Sequence, residues 1–470
     1  MDLSHNNLTG AIPSCISNLK KLKVLDLSKN RLHGLLPLLP RVEYLIDLSQ
    51  NKLTGEISIE NGERLFIPST ISLSYNELSG SIPSSVCSPK PRMSYTPTEY
   101  INLSNNKLSG IIPSTIGDCS FLIYLNLGNN NLTGIIPTSI GYSLEYLALN
   151  DNNLDGSFPT FILEISHLTV LNLGNNNFEG IIPSGLGSMD SLKILSLRSN
   201  RFNGSIPEEI MNMQELQILD LSANSFSGLI PFNLGNLTSL TGKLSITTGM
   251  YRVQYQLAIK GSTAQLEQMY IYNSGIDLSS NSLDGHIPEE MGLLKGLGML
   301  NLSHNLFSSN IPASIGNISS LQSLDLSSNR LSGSIPQNLT SIDRLGFLNL
   351  SHNNLSDRIP RGSHFDTLSL DGSAFAGNEF LCGFPLKKVC DGDHVIGTGD
   401  TGPSSKVDED DQEDGKEKFK LYAIVAIGFV VGLWGLFLVL LLRKQKWWFP
   451  YWKFVDSVAV RIVEGCIHKN

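Results

Sequence analysis

Residues Leu324-Asp325-Leu326-Ser327-Ser328-Asn329-Arg330-Leu331-Ser332-Gly333-Ser334-Ile335-Pro336 decide the fold, because the phrase they spell, L-x-L-S-x-N-x-L-x-G-x-I-P, recurs along most of the 470-residue chain. Counted from the first apolar residue of each, the copies begin at 1, 25, 46, 71, 101, 125, 147, 171, 195, 219, 276, 300, 324 and 348. Most of the later copies are 24 residues apart, and a fixed period of that size is the signature of stacked repeats. One spacing of 57 holds a full repeat plus 33 further residues, an insertion that leaves ten copies before it and four after.

In the copy at Leu219-Asp220-Leu221-Ser222-Ala223-Asn224 the leucines alternate with a polar residue. That alternation predicts a short strand with Leu219 and Leu221 inward and Asp220 outward. Such a strand is too short to stand alone, so the copies must stack to give one continuous core. The sixth position is Asn in every copy, as at Asn6, Asn51, Asn106, Asn152, Asn200, Asn281 and Asn353. An amide both donates and accepts, so a column of them predicts a structural row satisfying the backbone where the chain leaves the strand. In Gly333-Ser334-Ile335-Pro336 the glycine permits a bend and the proline suits the start of a turn, which closes each coil on its convex side.

On these residues the repeat resembles the plant-specific leucine-rich repeat over residues 1 to 360. The resemblance implies a leucine-rich repeat solenoid of 24-residue repeats with a parallel sheet on its concave face. It leaves function open, since the same repeat serves receptor kinases, receptor-like proteins and enzyme inhibitors.

The organisation expected is repeats 1–10 over 1–241, the insertion over 242–274, repeats 11–14 over 275–360, a cap over 361–390, an acidic linker over 391–420, a membrane helix over 421–442 and a basic tail over 443–470. Leu421 to Leu442 are 22 residues without a charge, enough to cross a hydrocarbon core of about 30 Å. Arg443, Lys444 and Lys446 follow it and the acidic run Asp408 to Glu417 precedes it, which predicts a single-pass type I protein of the plasma membrane with its repeats extracellular. Trp447, Trp448, Tyr451 and Trp452 read as an interfacial belt, and Tyr451-Trp452-Lys453-Phe454 also fits an internalisation signal. Met1 opens inside a repeat, without the signal sequence and paired-cysteine cap expected of such receptors, so the chain reads as truncated at its N-terminus.

Net charge is −9, with acids gathered before the membrane segment, which argues against a nucleic-acid partner. Gly397-Thr398-Gly399-Asp400-Thr401-Gly402 matches G-x-G-x-x-G but has no preceding apolar strand and reads as linker. With no metal-site, hydrolase or kinase signature in the chain, no catalytic residue, metal or cofactor is expected.

Cys382 and Cys390 lie just past the last repeat, where a bridge would pin a cap over the open core. Cys87 and Cys119 occupy similar places in adjacent coils, where a pair is one reading, but together with Cys15 they are expected first as unpaired buried thiols; Cys466 is expected as a cytosolic thiol. Ten N-x-S/T sequons precede the membrane segment, at Asn7, Asn102, Asn131, Asn203, Asn236, Asn301, Asn317, Asn338, Asn349 and Asn354, and are expected glycosylation sites.

Tyr75, Tyr100, Tyr124, Tyr146, Asp151 and Arg198 flank the strand leucines, and a row of tyrosines with scattered charge suits a protein or peptide ligand. The insertion adds Tyr251, Tyr255 and Lys260. It reads either as a tolerated loop or as a segment that orders on a partner. Gly428, Gly432 and Gly435 lie on nearly one face of the membrane helix, where small residues admit a second helix.

Taken along its whole length, the chain resembles a plant leucine-rich repeat receptor-like protein that lacks a kinase, with the insertion similar to that family's island domain. This implies an extracellular protein or peptide ligand, an adaptor receptor-like kinase met through the membrane helix, and a co-receptor kinase met through the last four repeats. Defence signalling is the first expectation. A developmental co-receptor, a secreted-inhibitor-like binding protein and a nonfunctional truncated copy are the alternatives.

Overall fold

A computed structural model of the chain describes residues 1–65, 67–87, 97–241, 255–259, 262–266 and 274–390. The repeats and the cap lie in one compact unit, Met1–Asp393. Three-residue strands, one per copy, form a single 13-stranded parallel sheet from Val24–Asp26 to Phe347–Asn349, and Asp2 adds a bridge to Asp26 for the first copy. Leu125 and Leu127 of one coil, like Leu195 and Leu197 of another, are wholly buried in a core that runs through all the coils. Each such side chain contributes about 1.5–3 kcal/mol relative to exposure, which offsets the ordering of a coil that makes few contacts of its own.

The column of asparagines forms a ladder between coils. Asn200 Nδ2 donates to Leu197 O and Arg198 O of its own coil and to Leu173 O of the coil before, at 3.0, 3.1 and 3.0 Å. Its Oδ1 accepts the Phe178 N–H at 3.0 Å. The residue before each ladder Asn holds a left-handed backbone, from His5 (φ 54°) through Ala223 (φ 52°) to His352 (φ 55°). This turn swings the chain off the strand and aims the amide back at the carbonyls it satisfies.

The x-L-x-G stretch forms a second parallel sheet, which the sequence reading did not separate from the convex turn. Eleven strands run from Thr9–Gly10 to Ser282–Leu283, and a further four (Ser308–Asn310, Arg330–Ser334, Asn354–Arg358 and Phe380–Cys382) extend into the cap. The repeat glycines sit at its end with positive φ, as Gly204 does at 78°. The convex turns are short 3-10 helices such as Ser184–Ser188 and Ala313–Asn317, each started by the proline of the phrase. Proline fixes φ and lacks the N–H that the first turn could not use.

The insertion does not break the first sheet. Ile218–Asp220 pairs directly with Gly275–Asp277, in the register Leu219 to Ile276. Within the insertion, strands Tyr255–Ile259 and Ser262–Leu266 pair antiparallel. The second sheet also passes this point and stops one coil later, between Ser282–Leu283 and Ser308–Asn310.

Three expectations need correcting. Cys87 and Cys119 form a disulfide, S–S 1.95 Å with Cα atoms 5.1 Å apart, because equivalent places in neighbouring coils lie about one strand spacing apart. Cys15 is not a separate thiol either, for no cysteine among the described residues is free. Asp220 does not face solvent: it is 2 % exposed, and its Oδ1 accepts the Ser222 N–H and hydroxyl at 3.1 and 2.6 Å. Among the described residues no helix is long and apolar enough to cross a membrane, and the expected span at 421–442 lies outside them, as does Cys466.

Cys382 and Cys390 are bonded at 1.98 Å. The cap they close continues the ladder, since Asn378 Nδ2 donates to Leu350 O and Phe375 O, each at 3.0 Å. Within the cap, Arg361 pairs with Asp366 at 2.8 Å and lies over the Phe384 ring.

Candidate functional site

The candidate site is the face of the first sheet turned away from the leucine core. Two columns of side chains define it, one just before the first leucine of each copy and one between the two leucines. Tyr100, Tyr124 and Tyr146 occupy the first column in consecutive strands and in register. Their rings stack at centroid distances of 4.1 and 4.2 Å, nearly parallel. Strand spacing imposes this, since in-register neighbours in a parallel sheet lie about 4.8 Å apart.

The column continues through Val170, Ile194 and Ile218, and Met299 joins the same apolar cluster. Tyr124 and Tyr146 are only 3 % and 2 % exposed, so the tyrosines form a packed ladder rather than a row of solvated phenols. Burial, and secondarily the neighbouring tyrosines, raise the ionisation of Tyr100 and Tyr124 far above the ordinary phenol range. All three rings therefore present neutral hydroxyls, able to donate and accept but not to act as anions.

The second column is polar. Asn126, Asn172, Asp220, Asp277, Asn301, Asp325 and Asn349 each accept from the backbone two residues on, and where that residue is Ser its hydroxyl donates as well. Asp220 and Asp277 are register partners across the insertion. Burial, with Asp220 alongside, pushes the Asp277 carboxyl up to about 6. Asn301 Nδ2 donates to its other oxygen at 3.2 Å.

The remaining expected residues are dispersed around these columns. Tyr75 and Asp151 both take the left-handed position before a ladder Asn, so neither joins the tyrosine stack. The Asp151 carboxylate accepts from Asn150 and Asn175 Nδ2 at 2.6 and 2.7 Å, which fixes it as the centre of a small amide clamp. Arg198 lays its stem over Gly174, where a Cβ would come within 2.7 Å of its Cγ; the glycine is what lets it lie flat. Tyr255 starts a strand of the insertion, while Tyr251, Lys260, Gly428, Gly432 and Gly435 lie outside the described residues. Sequence reasoning missed Val170, Ile194, Ile218 and Met299. The signal was their shared place one residue before the first leucine, the column that already held the three tyrosines.

The sequons separate by position. Asn7, Asn131, Asn203, Asn236, Asn317, Asn338 and Asn354 are exposed, whereas Asn102, Asn301 and Asn349 are half-buried in the polar column and accept from the serine of their own sequon.

This geometry defines a stacked-repeat scaffold with one patterned sheet face. Family models described as leucine rich repeat match residues 97–154, 142–202 and 166–226, and a second of the same description matches 1–19, 21–41, 296–318 and 320–342. The chain belongs to the leucine-rich repeat proteins, of the kind found in plant receptor-like proteins. Receptor-like protein 13 of Arabidopsis thaliana is 41 % identical over 75 residues, 15 % of this chain and 7 % of that protein. The ectodomain of the Arabidopsis receptor kinase HAESA, solved in complex with an extended IDA peptide hormone, superposes with TM-score 0.62 at 32 % identity, over 83 % of this chain and 62 % of that one. HAESA with IDA and the co-receptor SERK1 gives TM-score 0.60 at 34 % identity, over 81 % and 61 %. The matched stretch is thus under a tenth of the curated relative and about three fifths of the solved ectodomains.

Proposed function

We propose that this chain is the ligand-binding part of a plant cell-surface receptor that recognises an extracellular peptide or protein along the first sheet and hands the signal to partner kinases. The observation that carries the reading is one face on which the packed columns hold partly exposed aromatic and charged side chains, Tyr75, Tyr100, Asp151 and Arg198, in fixed places. An extended peptide presents two needs, apolar side chains to bury and backbone groups to pair. The likeness to a receptor ectodomain solved with a peptide hormone supports this choice of ligand class.

For output, the reading keeps an adaptor kinase at Gly428, Gly432 and Gly435 and a co-receptor kinase at the last four repeats, with a defence role. The co-receptor part is supported by the structural likeness to an ectodomain solved with the co-receptor SERK1. The reading also keeps a single-pass type I arrangement at the plasma membrane. The test uses the full chain in detergent, with its thermal unfolding followed while peptide fractions from extracellular fluid and microbial cultures are added. A fraction should raise the midpoint, and replacing Tyr100 and Arg198 by Ala should abolish that rise, each variant being compared with its own unliganded midpoint because Tyr100 also packs on Tyr124. A shift that survives both replacements would move the ligand off this face.

A further inference from the structure

The second sheet carries an exposed apolar row that the receptor reading does not use. The residue after each repeat glycine points outward, and in three coils it is isoleucine: Ile111, Ile135 and Ile181, 66, 65 and 66 % exposed. Other coils place Ser157, Ser205 or Ser334 there, so the position does not require an apolar side chain. Isoleucines on the open face of a parallel sheet invite association unless something covers them.

The register names a cover for one of them. Ile181 is the in-register partner of Asn203 on the next strand, and partners in a parallel sheet point to the same side about 4.8 Å apart. Both are exposed. The Ile181 side chain leans across the strand boundary, where its Cγ2 would lie 2.9 Å from a Cβ on Gly204, the residue after Asn203. Asn203-Gly204-Ser205 is a sequon, so a glycan there would start from the residue in register with Ile181.

We propose that an N-linked glycan on Asn203 lies over Ile181 and shields this part of the second sheet from self-association. The first sugar of such a glycan has an apolar C–H face able to sit on a branched aliphatic side chain, while its hydroxyls face water. The inference rests on the extracellular placement proposed above.

The full chain is expressed through a secretory pathway as wild type, Asn203→Gln, and Asn203→Gln with Ile181→Ser. Site occupancy is read by peptide mass spectrometry, and self-association by light scattering in detergent. The expected result is an occupied Asn203, a several-fold rise in aggregated material for Asn203→Gln, and its reversal by Ile181→Ser. If Asn203→Gln is poorly secreted, the double variant should restore secretion. The proposal is overturned by a bare Asn203 beside other occupied sequons, by an Asn203→Gln protein as monodisperse as wild type, or by a defect that Ile181→Ser leaves untouched. A chain with no glycan at any sequon sinks the extracellular placement itself, and this proposal with it.

Discussion

Asn378 accepts the backbone N–H of Leu355 at 3.0 Å, as Asn353 accepts that of Leu331 at 3.0 Å one coil earlier. The cap is therefore a further rung whose sequence no longer spells the repeat. Asn378→Ala should destabilise the chain by about 1–3 kcal/mol, since it leaves the buried Leu355 N–H unpaired and removes one donor from Leu350 O, which keeps only that of Asn353. Asn200→Ala should cost a similar amount. Denaturant titration of the full chain in detergent checks both, and an unchanged midpoint would leave the ladder without energetic weight.

Two coils break the glycine rule of the second sheet. Ser309 (φ 73°) and Asp357 (φ 69°) stand one repeat after Gly285 and Gly333 and keep the same left-handed backbone. A side chain there is strained, so Ser309→Gly should stabilise the fold by about 1 kcal/mol. The reverse change, Gly333→Ser, should cost as much. Midpoints that do not move in opposite directions would count against strain at this position.

Asp277 sets a pH dependence. Its carboxyl titrates at about 6 in the folded chain and near its ordinary value of 3.8 when unfolded, so between those values the folded state holds the extra proton. Stability should fall as pH rises from about 4 to about 6 and then level off. Asp277→Asn keeps the acceptor, as Asn301 and Asn349 do for their own serines, and should flatten that slope while raising stability at neutral pH. Unfolding midpoints measured across this range decide it.

The Cys87–Cys119 bridge closes a loop of 32 residues around the segment joining two coils. Replacing both cysteines by Ala should lower stability by about 2–4 kcal/mol. Denaturant midpoints of the two proteins test this, and equal midpoints would show that the bridge adds no stability.

Most of the scaffold could be read from the chain because its physics is local and repeated. The Leu219–Leu221 alternation marks a strand, and the invariant Asn marks the turn that follows it. The second sheet escaped because its glycine was read only as a bend, and because a stretch such as Asn177 to Ile181 buries only Phe178 and so shows no alternation. The Cys87–Cys119 pair was visible as equivalent places in adjacent coils, but nothing in the sequence says that those places come within bonding distance. At the candidate site the tyrosines stood out by type. Val170, Ile194 and Ile218 did not, because an aliphatic residue beside a leucine looks like more core until the strand's facing is known.

Since Ile218–Asp220 and Gly275–Asp277 are hydrogen-bonded neighbours, the 33 inserted residues leave and return within the spacing of a single strand pair. Changes in the length or composition of that excursion need not propagate into the coils on either side. The solenoid thus offers a graft point, where a segment can diversify quickly, or be exchanged by an engineer, while the frame that holds it stays the same.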